Sequence, residues 1–220
     1  EIALWSDPKI KELNPELADA LPSKRIIAVY RADSSGTTEI FTTFLYKSAP
    51  SAWSKELVGK KVAWPVEQAG RSVGAQGNPG VVQVVLNSPY SIGYVELSYA
   101  VTHGMRTASL QNREGVFVQP TVESMQEAAR NVSMPSSPLD DFSRTLDEVV
   151  FTPGEGSYPA SSFTYVFLWK EYRDKDKESA LSAFLRWVAG EGYGCLVDGY
   201  APPPPSAVQL LLKAAEVLEG

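Results

Sequence analysis

Residues 26–38 constrain this chain more than any other stretch. Their order, Ile-Ile-Ala-Val-Tyr-Arg-Ala-Asp-Ser-Ser-Gly-Thr-Thr, reads as a buried strand, a short polar turn and the start of a helix. Ile26, Ile27, Ala28, Val29 and Tyr30 form an apolar run rich in strand formers. After the turn, Ile40, Phe41, Phe44 and Leu45 recur at helical spacing, which predicts a helix from about 36 to 47. Between the two lie a cation, a carboxylate, hydroxyls and a glycine. A helix N-terminus presents unpaired N–H groups and a partial positive charge, so a small oxyanion fits there. Arg31 adds a planar, bidentate clamp. Ser35 and Thr37 offer hydroxyl donors, and Gly36 lets the backbone approach closely. Asp33 repels an anion unless the anion brings a proton for it to accept; hydrogen phosphate has one at neutral pH and sulfate does not. A plainer reading of the same residues makes Ser34 or Ser35 a helix cap and pairs Arg31 with Asp33 on the surface. No phosphate-loop lysine is present, which argues against nucleotide binding by that route.

Further along, the pattern predicts a strand near 61–66, a helix over 78–86 on Val81, Val82, Val85 and Leu86, a short strand at 91–94 and a helix near 96–103. Asn78 reads as the cap of its helix, with Pro79 in the first helical position and Gly77 in the turn before it. Strands alternating with helices predict a wound α/β sheet. An amphipathic helix follows at 121–131. Residues 131–160 form a connection rich in Pro, Ser, Gly and acid, with one helix near 139–149. The tail reads as a strand at 162–169, a solvated charged stretch at 171–178, a helix at about 177–191 and a last helix at 205–219, led in by the proline run 202–205. Phe163-Thr164-Tyr165-Val166-Phe167-Leu168-Trp169 is apolar on both faces, as a central, doubly covered strand is.

Composition removes several classes of function. A net charge of −6 with no Lys/Arg run speaks against nucleic acid. No apolar run approaches the ~20 residues of a membrane span. One histidine and one cysteine cannot assemble a zinc site of standard composition or an internal disulfide. His103, ahead of Gly104, reads as a helix C-terminus. No Gly-x-Ser-x-Gly elbow and no nucleophile–base pair is visible, so no catalytic residue, metal ligand or cofactor is assigned and the chain is not read as an enzyme. Asn131-Val132-Ser133 is a glycosylation sequon that matters only in a secreted eukaryotic protein.

The run Arg31-Ala32-Asp33-Ser34-Ser35-Gly36-Thr37-Thr38 resembles the phosphate-contacting segment of the substrate-binding proteins of bacterial phosphate ABC transporters. Other segments resemble that family in its own order. They are Glu1-Ile2-Ala3-Leu4-Trp5-Ser6-Asp7-Pro8-Lys9-Ile10 with Leu13-Asn14-Pro15, then Val62-Ala63-Trp64-Pro65-Val66, then Gly74-Ala75-Gln76-Gly77-Asn78-Pro79-Gly80-Val81. Ser91-Ile92-Gly93-Tyr94-Val95-Glu96-Leu97-Ser98-Tyr99-Ala100, Tyr158-Pro159, Phe163-Thr164-Tyr165 and Gly199-Tyr200-Ala201-Pro202 follow. The family's N-terminal third has no counterpart here.

The resemblance implies an α/β, periplasmic-binding-protein-like fold of type II, present as one lobe plus the C-terminal part of the other. It implies a second lobe over 1–152, then a crossover and the C-terminal part of the first lobe over 153–220. It implies a non-enzymatic phosphate-binding module, periplasmic or extracellular, with Arg31, Asp33, Ser35, Gly36 and Thr37 on the ligand. Ser34, Thr38, Gly77, Asn78 and Tyr94 support them; for Tyr94 the plainer role is packing and capping. The implied partners are inorganic phosphate, a transporter permease, and a second chain or self-association that completes the first lobe. The alternative is a structural or adhesive module of a larger extracellular assembly that kept the fold and lost efficient phosphate binding.

Overall fold

The computed structural model describes residues 2–220; Glu1, the first residue of the segments compared above, lies outside the described residues. A short helix, α1 (Pro8–Leu13), starts where the Asp7 carboxylate accepts the Lys9 N–H and Pro8 takes the first helical position. The chain then enters β1 (Ile27–Arg31) and α2 (Gly36–Ser48). Next come α3 (Pro65–Gln68), β2 (Ser72–Ala75), α4 (Gly77–Asn87), β3 (Ser91–Gly93) and α5 (Leu97–Thr102). A two-stranded hairpin, β4 (Leu110–Gln111) and β5 (Phe117–Val118), leads to α6 (Val122–Arg130) and α7 (Ser143–Val149). The helices α8 (Lys175–Val188) and α9 (Pro205–Glu219) close the chain.

The strands β2, β1 and β3 form a parallel sheet in that order, with β1 in the middle. Val29 of β1 packs with Ala75 and Val81 under α4. A second cluster joins Phe44 of α2 to Val132, Val149 and Val150. A third holds α8 to α9 through Leu185, Ala215 and Leu218, with Leu168 and Tyr172 against it.

Two expected strands are absent. The stretch 61–66 is not a strand; it runs into α3, and the strand of the sheet lies later, at Ser72–Ala75. Pro65 has no N–H for a ladder and suits a helix start instead. Trp64 is buried for another purpose, packing against the rings of Tyr30, Phe41, Trp53 and Tyr94. The strand that replaces it is hard to see because it contains Gly74, where a Cβ would stand 3.1 Å from the Tyr30 ring. The stretch 162–169 also lacks ladder bonding: Phe167 is 91% and Trp169 78% exposed, while only Leu168 turns to the α8–α9 cluster. Among the described residues no strand lies alongside to pair with it. The other expected helices form within a few residues of their predicted bounds. His103 stands at the end of α5, where its N–H and Nδ1 both meet the Tyr99 carbonyl.

Candidate functional site

β1 is where the strand order reverses: the chain moves out to β2 on one side and returns across β1 to β3 on the other. The carboxyl end of such a strand opens on a crevice, and in open α/β sheets ligands bind there. Arg31 is the last residue of β1, and α2 begins five residues later at Gly36.

The turn between them is built from its own side chains. Ser35, nearly buried and extended, is the cap of α2; its Oγ accepts the Thr38 N–H at 3.3 Å. Its own N–H donates to the Lys60 carbonyl at 2.8 Å, which anchors the turn from outside. The N–H groups of Gly36 and Thr37 have no intrahelical partner at this position. Nothing lies within 4 Å of a Cβ placed on Gly36, so the backbone there faces open space. Ser34 is exposed and does not cap the helix.

Arg31 is held on three sides. Its Nε donates to Asp33 Oδ1 at 2.8 Å and its Nη2 to Asp33 Oδ2 at 2.6 Å, a bidentate fork. Its Nη1 donates to Asn78 Oδ1 at 3.0 Å. Two of its five N–H groups remain uncommitted. The side chain is only 10% exposed, so the ion pair forms but is not the surface pair of the plainer reading. The Gly77 N–H donates to Asp33 Oδ1 at 3.1 Å. Gly77 has φ +64, a conformation that suits glycine, and this aims its N–H back at Asp33 from the start of α4. Asp33 Oδ1 thus receives two bonds and Oδ2 one, which leaves a lone pair on Oδ2. The Arg31 guanidinium, and after it the Gly77 N–H, hold the Asp33 carboxyl well below the usual carboxylate range. The same hydrogen bond raises the Arg31 pKa.

Asn78 departs from expectation. It does not cap α4: Gln76 occupies the capping position, no side chain caps the helix, and the nearly buried Asn78 amide turns to Arg31. An arginine donor in a buried setting is a stronger partner for that carbonyl than a backbone amide. Tyr94 approaches from just beyond β3. Its hydroxyl accepts the Arg31 N–H at 3.1 Å and lies 2.8 Å from Thr38 Oγ1.

The structure therefore brings Arg31, Asp33, Ser35, Thr38, Gly77, Asn78 and Tyr94 into one bonded network, with Gly36 and Thr37 on the adjoining helix turn. The Lys60 carbonyl is a member that sequence reasoning missed, and no side-chain signal exists for a role that any residue's carbonyl fills. The arrangement leaves two Arg31 N–H groups and one carboxylate lone pair uncommitted, a few residues along the chain from the N–H groups of the first turn of α2 that have no intrahelical partner. Two open cavities of about 420 and 550 Å³ lie elsewhere, near the far end of α2, between residues such as Phe44, Ser48, Arg113, Asp147 and Phe151; none of the site residues lines them.

A family model described as a PBP superfamily domain matches residues 1–191. The phosphate-binding protein PstS of Methanocaldococcus jannaschii is 38% identical over 227 residues, covering 100% of this chain and 58% of that protein. The PstS of Pasteurella multocida is 37% identical over 212 residues, covering 95% of this chain and 58% of its own length. This chain thus spans little more than half the length of the curated relatives it matches. Among solved structures, a high-affinity periplasmic phosphate-binding protein bound with phosphate superposes with a TM-score of 0.61 at 18% identity, over 97% of this chain and 61% of that one. A human phosphate binding apolipoprotein gives 0.60 at 19% identity, over 97% and 66%. At these identities the two structures speak for the fold.

Proposed function

This chain belongs to the PBP superfamily and has part of its periplasmic-binding-protein-like α/β fold, and we propose that it is the phosphate-binding portion of a solute receptor. One observation carries the reading: Asp33, Asn78 and Gly77 together fix an almost buried arginine beside the open first turn of α2. A buried arginine at a helix N-terminus is an oxyanion site, and the names of the curated relatives point to phosphate as the oxyanion.

In this proposal Arg31 gives its two uncommitted N–H groups, Gly36 and Thr37 their backbone N–H groups, and Ser35 and Thr37 their hydroxyls. Asp33 orients Arg31 and offers its remaining Oδ2 lone pair to the proton of hydrogen phosphate. Sulfate has no such proton and meets an unrelieved negative charge. Ser34, Thr38, Gly77, Asn78 and Tyr94 frame these groups. Residues 1–152 act as one lobe, and 153–220 supply the crossover and part of the other. A second chain or a second copy completes that other lobe over the exposed side chains of Val166, Phe167 and Trp169. The receptor works outside the cytoplasmic membrane, delivers its ligand to a transporter permease and performs no chemistry on it.

Titration calorimetry with phosphate and with sulfate, on the wild type and on Asp33→Asn, tests the proposal. Half a cage lacks the closure that excludes water, so the expected dissociation constant is on the order of millimolar. Heat with phosphate alone, and lost discrimination in Asp33→Asn, supports the reading. Equal heats for both anions in the wild type overturn the role of Asp33. Silence with both anions overturns the receptor reading and favours a structural module.

A further inference from the structure

This inference rests on the anion-binding reading above and concerns what holds its arginine in place. Along β1, alternate residues face opposite neighbours. The N–H groups of Ala28 and Ala32 donate toward β2, to the Arg71 and Ala75 carbonyls at 3.0 and 2.9 Å, and that of Ile27 toward β3, to the Tyr90 carbonyl at 3.2 Å. Arg31, four residues beyond Ile27, faces the β3 side as well. β3, however, stops at Gly93, opposite Val29. The Arg31 N–H has run out of strand, and the phenolic oxygen of Tyr94 takes the place of the missing carbonyl.

The same oxygen has a second partner. Thr38 is completely buried, and among the described residues its hydroxyl meets no polar group except Tyr94. Either hydroxyl can donate across this 2.8 Å contact, so the Tyr94 oxygen accepts the Arg31 N–H and shares a second hydrogen bond with Thr38. The ring is fixed by stacking on Phe41, centroids 4.7 Å apart, with Trp64 at 5.7 Å. One oxygen atom therefore ties the end of β1, which carries Arg31, to the first turn of α2, which carries Gly36 and Thr37. We propose that Tyr94 is a positioning residue of the anion site, its hydroxyl setting the spacing between Arg31 and the α2 N-terminus and thereby anion affinity.

Tyr94→Phe keeps the ring and its packing and removes only this oxygen. The measurements are amide hydrogen exchange at Arg31 and NMR titration with inorganic phosphate, on the full chain. Exchange at Arg31 is expected to quicken by about tenfold or more, and phosphate to bind about ten- to a hundredfold more weakly, as loss of a hydrogen-bond partner shared by the Arg31 N–H and the buried Thr38 hydroxyl implies. Thr38→Val, which cuts one of the two ties, weakens binding less, and Thr38→Ser, which keeps the hydroxyl, restores it. Should Tyr94→Phe fail to fold, the Val and Ser pair decides: equal phosphate affinity in the two overturns the proposal. Unchanged affinity in a folded Tyr94→Phe overturns it directly. A wild type that takes no phosphate sinks the anion-binding reading instead. The exchange rate then judges Tyr94 by itself: quickened exchange upholds its hold on Arg31, and unchanged exchange overturns it.

Discussion

Asp33 faces two demands, to hold an arginine and to stay charged, and one geometry meets both. The fork from Arg31 and the Gly77 N–H stabilise its carboxylate form, so its pKa lies well below the ordinary value of 3.8. A group depressed in the folded state contributes stability above its unfolded pKa and loses it as pH falls toward the folded one. The stability difference between wild type and Asp33→Asn should therefore stay level from pH 9 to about 5 and shrink below about pH 4. Urea unfolding of both proteins across that range checks it; a difference that already fades near pH 6 would assign it to another group. Arg31→Lys is the companion variant. A lysine cannot reproduce the fork to Asp33 and the bond to Asn78 together, and it is expected to weaken phosphate binding about tenfold or more, read by the same calorimetry. The pairing of Arg31 with Asp33 and the capping of α2 by Ser35 were legible from neighbours in sequence. The partnership of Arg31 with Asn78, 47 positions away, was not. An asparagine before a proline carries a strong local capping signal, and only the tertiary approach of α4 to β1 turns its amide elsewhere.

Elements were legible where local and distant forces agree. β1, α2 and α4 each have an apolar pattern and a punctuated start; β1 and α4 meet through Val29, Val81 and Val85, and α2 buries Phe44 against Val132, Val149 and Val150, while Leu86 of the α4 stripe stays exposed. β2 was hidden because one of its four residues is Gly74, whose place is set by the close Tyr30 ring rather than by strand propensity. β3, three residues long, is permitted by Gly93. A Cβ there would stand 2.9 Å from Val81 Cγ1, 3.2 Å from Val85 Cγ2 and 3.3 Å from Val29 Cβ, all in the tightly packed layer between sheet and α4. Gly93→Ala must therefore overpack the layer, and a loss of about 1–3 kcal/mol is expected in denaturant unfolding. Because Tyr94 follows immediately, the same variant should also disturb binding at Arg31. A neutral Gly93→Ala would mean that α4 slides on the sheet more easily than its packing indicates.

At the scale of the whole molecule, the sheet and its helices leave Val73, Leu86, Ile92 and Val101 partly open, but the greatest apolar exposure lies in the segment before α8. Val166, Phe167 and Trp169 stand 56%, 91% and 78% exposed, and on α8 Phe184 and Trp187 stack on each other in half-open positions. The expectation of a central strand at 162–169 failed for a reason the sequence cannot supply: a strand needs partners, and its own apolar alternation does not create them. The composition of that segment still shows what it is suited to, since residues apolar on both faces gain most when covered on both. Exposed in water, such a cluster drives association. The isolated chain is expected to self-associate with rising concentration in sedimentation velocity, and Phe167→Asp with Trp169→Lys to suppress it. The thermal midpoint should change little, because neither side chain is part of the core. If the wild type stays monomeric at high concentration and binds no partner, the exposed segment is tolerated as it stands, and completion of the first lobe by another chain loses its physical motive.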